Sequence, residues 1–167
     1  SDTRSKLIDF ILINVLGWSE SDIRREGHVD NGYYDYHIKT AGISFVIEAK
    51  REFEEFILPN TNSRKINAGT LQKGNEKVIS QIQSYLVDLG NDTGIITNGT
   101  QFIIGKFVSI CGIPWKNNKC IVFKGIGDID ENFVLFWNTL SKESVLNNKS
   151  IPGLNTTEEK FSKTLIS

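Results

Sequence analysis

The stretch that most constrains the fold is DYHIKTAGISFVIEAK, residues 35–50. Residues 33–39 and 43–49 are rich in β-branched and aromatic types and are divided by Thr-Ala-Gly, which predicts two antiparallel strands joined by a turn. Residues 43–47 are apolar on both faces, as in a central strand that is covered on both sides. The chain must therefore supply a packing layer on each side of this strand.

Three amphipathic segments at helical spacing can supply those layers. In chain order the predicted elements are a helix over 7–16, a short helix near 19–22, the hairpin, a helix over 78–89, two strands over 94–107, a strand over 120–123 and a helix over 133–140. Helices therefore alternate with groups of strands. This order predicts an α/β fold, with a central mixed β-sheet flanked by helices on both faces.

Length and composition indicate one compact domain. The chain has 167 residues, of which 39% are hydrophobic and 23% are charged, so it can bury a substantial core. We expect a single domain over residues 1–146 and a polar tail or linker over 147–167. Residues 51–75 contain Pro59, two glycines and four asparagines without a sustained period, which predicts a long loop or insertion.

The formal net charge of −1 excludes a polycation that binds phosphate indiscriminately. Residues 61–80 do hold four Lys or Arg residues against one Glu, a pattern that is more typical of a solvated loop than of a nucleic-acid interface. No run approaches the ~18 consecutive apolar residues of a membrane helix, and the first residues do not have the basic-then-apolar pattern of a signal segment, which a mature or excised chain would lack in any case. We therefore expect a cytoplasmic protein with no membrane partner.

Asp35, Glu48 and Lys50 give the hairpin its chemical character. Side chains alternate across a strand, so Glu48 and Lys50 share one face. If the loop between the strands has an even number of residues, Asp35 shares that face as well. A three-residue loop or a bulge would separate Asp35 from the other two.

Charged groups on one face of a sheet are ordinarily a solvated surface. At the end of a covered strand they would be partly desolvated, which is costly unless they bind something. Mg²⁺ is commonly bound by one or two carboxylates, waters and phosphate oxygens, so Asp35, Glu48 and the backbone carbonyl of Ala49 are candidate ligands. Lys50 would orient a water or stabilise developing negative charge, and the reaction inferred is phosphodiester hydrolysis.

Several motifs resemble a known family. They are the hairpin with its extension DYHIKTAGISFVIEAKRE, LGW at 16–18, EAKR at 48–51, TNG at 97–99, and Gln81 and Tyr85 in QIQSY. Together they resemble the PD-(D/E)xK nuclease superfamily, in particular the N-terminal nuclease domain of type I restriction enzyme R subunits and related prokaryotic defence proteins. The resemblance covers about residues 3–107 and continues more faintly in NFVLFWNTLS.

The resemblance implies a restriction-endonuclease-like core and a Mg²⁺-dependent endonuclease that acts on DNA, with Mn²⁺ able to substitute. The implied site residues are Asp35 and Glu48 as metal ligands, Lys50 as the catalytic lysine, and Gln81 and Tyr85 as supporting residues. An acid of the first helix is often close to the site in this family. Asp9 is the only acid inside the predicted helix and is carried over as a further metal ligand.

Partners follow from what the sequence lacks. Two segments with the glycine spacing of a phosphate-binding loop have Asn75 and Thr100 where lysine is required, so no nucleotide-driven motor is predicted. The resemblance then implies a domain that is associated with a motor or sensor module, with a possible homodimer or larger assembly. Two alternatives stay open: a nuclease-like domain that binds nucleic acid or a partner protein without cutting, and a relative that cleaves RNA.

Overall fold

The computed structural model describes residues 2–29, 32–50 and 54–154. In that part of the chain one mixed seven-stranded sheet is flanked by helices. The strands are β1 (Ile23–Val29), β2 (Gly32–Thr40), β3 (Ile43–Ala49), β4 (Lys65–Asn67), β5 (Thr93–Thr97), β6 (Phe102–Lys106) and β7 (Lys119–Phe123). The helices are α1 (Asp2–Phe10), which continues as a π-helix over Ile11–Val15, α2 (Ala68–Gln72), α3 (Glu76–Leu89), α4 (Ile126–Glu131), α5 (Phe133–Leu140) and α6 (Lys142–Asn148). The predicted α/β class and mixed sheet are confirmed.

The strand order is β1-β2-β3-β5-β6-β7-β4. Neighbouring strands are antiparallel except for β3 and β5, which run parallel. A parallel pair needs a crossover connection, and the chain between β3 and β5 includes β4, α2 and α3. The crossover brings α3 against β3 and β5, at the middle of the sheet.

Two apolar cores cover the sheet, one on each face. The face that packs against α1, α5 and α6 is called the α1 face here, and the face that packs against α2 and α3 is called the α3 face. Alternation along β3 sends Phe45 and Ile47 to the first core and Val46 to the second. On the α1 face, the Trp18 indole donates to the Leu140 carbonyl at 2.9 Å. The predicted covering of β3 on both faces is therefore present.

The helix α3 is the element that brings side chains to the centre of the α3 face. Its buried residues recur at helical spacing: Val78, Ile79, Ile82, Tyr85 and Leu86. It ends at Gly90, whose φ of +68° lies in the left-handed region that glycine adopts without steric strain. Because Gln81 lies one turn before Tyr85, both side chains are carried toward the sheet.

Several elements differ from the prediction. The strand β1 was not predicted, because RREG carries charge at consecutive positions instead of alternating. The expected loop over 51–75 contains β4 and α2, although residues 51–53 lie outside the described residues. The helix predicted over 133–140 is present as α5, and two helices that were not predicted, α4 and α6, flank it at Asn132 and Ser141.

The core continues past the expected end of the domain at residue 146. Ile151 and Leu154 are each 5% exposed and belong to the core of the α1 face. The expected polar tail is therefore packed as far as Leu154, and residues 155–167 lie outside the described residues. Across the described chain, none of the helices has the length and hydrophobicity needed to cross a bilayer.

An ion pair ties the segment before β4 to α4. Arg64 makes two hydrogen bonds to Asp128, at 2.8 and 2.7 Å, and donates to the Val122 carbonyl. Asp128 also accepts from the Lys124 backbone N–H at 2.9 Å and from the Asn132 side chain at 3.0 Å. The Arg64 hydrogen bonds, acting against burial, lower the pKa of the Asp128 carboxyl to about 2.

The Asp128 interaction predicts a pH-dependent stability. A pKa of about 2 against an ordinary 3.8 corresponds to about 2 kcal/mol of stability. This contribution is present above pH 3.8 and is lost as the pH falls toward 2. Asp128→Asn should therefore lower the free energy of unfolding in urea by about 2 kcal/mol at pH 7, and the difference should shrink below pH 4.

The matched control for this prediction is Asp130→Asn, which removes an exposed carboxylate from the same helix. It should leave the free energy of unfolding nearly unchanged across the same pH range. A deficit of Asp128→Asn that stays constant from pH 7 to the acid limit of folding would contradict the assignment.

Candidate active site

The hairpin turn sets the geometry of the site. Two residues, Ala41 and Gly42, separate the paired residues Thr40 and Ile43, and Gly42 has a φ of +89°. The loop is therefore even-numbered, and the ladder continues from this pair to Tyr36 opposite Ile47. The next residues along the two strands are Asp35 and Glu48, which point to the α3 face while Tyr36 and Ile47 point to the α1 face.

The side chain of Asp35 bridges the two strands beyond the last paired residues. Its Oδ2 accepts a hydrogen bond from the Ala49 backbone N–H at 2.8 Å. Lys50 N–H in turn donates to the Thr97 carbonyl of β5 at 2.7 Å. The end of β3 is thus fixed on both sides, by a side chain of β2 and by the backbone of β5.

Glu48 and Lys50 form a largely buried ion pair at this end of β3. The Lys50 Nζ lies 3.2 Å from Glu48 Oε1, and the two side chains are 21% and 4% exposed respectively. Burying a carboxylate costs desolvation free energy, and the Lys50 ammonium offsets part of that cost for Glu48. Because the lysine is the more exposed of the two, the ammonium lies nearer the surface and the carboxylate lies behind it.

Gln81 and Tyr85 complete a chain of hydrogen bonds from α3. Lys50 Nζ donates to Gln81 Oε1 at 2.7 Å, and Gln81 Nε2 donates to the Tyr85 hydroxyl at 2.8 Å. Burial, followed by the charges of Glu48 and Asp35, raises the pKa of the Tyr85 hydroxyl, while the Gln81 hydrogen bond acts in the opposite direction. The phenol is therefore neutral at physiological pH, and its effect on Lys50 is exerted through Gln81.

The turn between β5 and β6 supports this arrangement. The Thr97 hydroxyl accepts from the Gly99 N–H, and the Asn98 side chain donates to the Glu54 carbonyl. Gln101 Oε1 accepts from the Phe56 N–H at 3.0 Å. The TNG motif at 97–99 therefore fixes the backbone of Lys50 and anchors the segment that follows it.

A cleft of about 310 Å³ opens beside Lys50. Its walls are residues 54–56 and the start of α3, residues 74–78. Asn75 joins the two walls, because its side chain accepts from Ile57 N–H and donates to the Ile57 and Leu71 carbonyls. Sequence reasoning did not assign a role to Asn75, Asn98 or Gln101. Two sequence features could have indicated these roles: Asn75 lies just before α3, and Asn98 lies in the Asn-Gly turn that Gln101 follows.

Asp9 is placed apart from these groups. It lies on α1, which packs on the α1 face, and its Oδ1 accepts from Arg25 Nε at 3.2 Å. Arg25 also makes two hydrogen bonds to Glu20, at 2.9 and 3.1 Å. The structure therefore brings together Asp35, Glu48, Lys50, Gln81 and Tyr85 on one face, and it holds Asp9 in a separate ion pair on the other.

The donor set suits a hard divalent cation. Asp35 and Glu48 offer carboxylate oxygens from adjacent strands, and Mg²⁺ needs only one or two protein carboxylates when waters and phosphate oxygens complete its octahedron. Within the described ranges no group of three or more His, Cys, Asp or Glu side chains could hold a metal ion. Two protein carboxylates would leave the remaining octahedral positions to water and substrate oxygens.

Comparisons with protein-family models, with curated proteins and with solved structures find no match to this chain.

A double-mutant cycle on Glu48 and Lys50 tests the ion pair. Lys50→Met would leave a buried carboxylate without its ammonium, so Glu48→Gln should cost less in that background than in the wild type. We expect a coupling free energy of about 1–3 kcal/mol, measured by urea denaturation in EDTA. The exposed pair Glu20 and Arg25 is the control and should show weaker coupling, because solvent screens it.

Proposed function

We propose that this domain is a metal-dependent endonuclease with a restriction-endonuclease-like fold that hydrolyses DNA phosphodiester bonds. One observation carries the proposal: the five motif residues Asp35, Glu48, Lys50, Gln81 and Tyr85, drawn from three elements, meet on one face of the sheet. The mixed sheet with helices on both faces is also what such a fold requires.

In the proposed site Asp35 and Glu48 would hold Mg²⁺, with the Ala49 carbonyl as a further ligand. The ion supplies Lewis-acid activation of the phosphate and a lower pKa for a bound water. Asp35 and Glu48 lie on the same face of the sheet as Lys50, which lines the cleft, so a phosphate that enters the cleft would approach the metal from this face.

Lys50 is the proposed catalytic residue. Its ammonium is a donor within reach of the cleft, where it can orient the attacking water or bind a non-bridging oxygen as negative charge develops. Gln81 is a positioning residue, since its Oε1 holds the Lys50 Nζ at 2.7 Å. Tyr85 positions Gln81 in turn and lies beneath it in the core.

The assay is cleavage of supercoiled plasmid by the full 167-residue chain, with Mg²⁺ or Mn²⁺ and with EDTA. Asp35→Asn, Glu48→Gln and Lys50→Met should each lower the rate by about 10²-fold or more, because each removes a proposed metal ligand or the proposed catalytic ammonium. Asp130→Asn should cleave at the wild-type rate, and circular dichroism should show that every variant is folded.

Three results would contradict the proposed function, each in a different way. Cleavage that survives EDTA or Glu48→Gln would exclude the proposed chemistry. Binding of DNA without cleavage, together with no heat of Mn²⁺ binding in calorimetry, would favour a nuclease-like domain that does not cut. Cleavage of RNA but not of DNA under the same conditions would reassign the substrate.

A further inference from the structure

A second concave region lies on the α3 face, beside the candidate active site and close to the β1 edge of the sheet. It is a polar groove of about 350 Å³, lined by Ser21, Asp22, Ile23, Arg24, His37 and Lys39. Asp35, His37 and Lys39 are alternate residues of β2, so their side chains leave the strand on the same face. His37 and Lys39, which line the groove, therefore follow Asp35 on the same face of β2, toward the hairpin turn.

Arg24 and Lys39 give this groove its positive charge. Arg24 is paired with His37 in the register, which makes Arg24 and Lys39 diagonal neighbours at roughly 7–8 Å between Cα atoms. Both residues are exposed, and among the residues the structure describes neither has an ion-pair partner. The one acid of the lining, Asp22, is paired with the Lys142 Nζ at 2.7 Å.

Polar groups also form the floor of the groove. His37 is 8% exposed, and its Nε2 lies 2.6 Å from Ser44 Oγ. The floor is therefore fixed by a hydrogen bond between neighbouring strands, while the two cations on the rim are exposed to solvent. Since the formal charge of the whole chain is only −1, the positive character is a local property of this groove.

We propose that this groove binds the phosphodiester backbone of the DNA substrate, with Arg24 and Lys39 as phosphate contacts. The inference rests on the proposed nuclease function and extends it to a substrate-positioning surface. At about 30 Å³ per water the groove has room for roughly ten waters, enough for a phosphate with part of its hydration. The Arg24 guanidinium suits bidentate contact with phosphate, and Lys39 adds a point charge.

The spacing along β2 gives the contact a position. Lys39 comes four positions after Asp35 in β2, which at ~3.3 Å per residue is roughly 13 Å. For a duplex whose axis follows β2, at 3.4 Å per base pair, the groove would meet phosphates about four base pairs from the cut. Such contacts fix the register of the duplex on the protein but carry no base specificity.

The test is the salt dependence of DNA binding. Binding of a fluorescent duplex to the full chain is measured by anisotropy in EDTA across a series of NaCl concentrations. Each lost phosphate contact lowers the slope of log K against log salt by about 0.9, so Arg24→Gln with Lys39→Gln should lower it by about 2. The control, Lys65→Gln with Lys119→Gln, removes two exposed lysines at the opposite edge of the sheet and should keep the wild-type slope.

The outcomes separate this inference from the proposed function. An unchanged slope in the groove variant, an equal loss in the control, or no duplex binding by the wild type would overturn the groove. Tighter binding of an RNA duplex with the same dependence on Arg24 and Lys39 would overturn the assignment to DNA. A nuclease assay that fails while the groove variant loses slope removes the function and leaves the groove.

Discussion

The pairing register of β2 with β3 is the constraint on which the rest of the site depends. A two-residue turn places Asp35 and Glu48 on one face and Tyr36 and Ile47 on the other. A shift of one residue would reverse the face of every side chain on the shifted strand. The register is held because both faces are buried, so a slip would expose core residues and bury charges.

The same register explains why charges persist at the end of a covered strand. Glu48 is compensated by Lys50, Lys50 is held by Gln81, and Gln81 is bonded to Tyr85. The hydrogen bonds of Gln81 need α3 at a fixed height above the sheet, which the crossover between β3 and β5 provides. Asp35 is bonded instead to the Ala49 N–H. The polar cluster is thus built into the fold, and the cleft beside Lys50 gives it an opening to solvent.

The sequence predicted the elements in which apolar residues recur at a regular spacing. The alternation and the apolar run around residues 43–47 predicted the hairpin, and apolar spacing predicted α3 together with the face that carries Gln81 and Tyr85. The sequence left open whether Asp35 and Glu48 would lie on the same face, because residues 40–42 are compatible with both an even-numbered turn and a three-residue loop. The observed turn, with Gly42 in the left-handed region, selects the first.

Other elements depend on long-range pairing that local patterns do not encode. Arg24 and Arg25 disrupt the alternation of β1, which exists because β2 offers it an edge. β4 is only three residues long and is held in place by its pairing with β7. Leu154 is buried because it packs into the core of the α1 face, most of whose residues lie far away in the sequence. Asp9 is the acid that the sequence placed on the first helix as a further metal ligand. In the structure, its carboxylate accepts a hydrogen bond from Arg25 instead.

The central claim is that Asp35 and Glu48 share a divalent cation. The most direct measurement is a crystal structure of the chain grown with Mn²⁺ and analysed by anomalous diffraction. We expect one strong anomalous peak within ~2.5 Å of a carboxylate oxygen from each residue, with waters at the other positions. Full occupancy of Mn²⁺ elsewhere with none between these two carboxylates, or the two carboxylates on opposite faces of the sheet, would contradict the account.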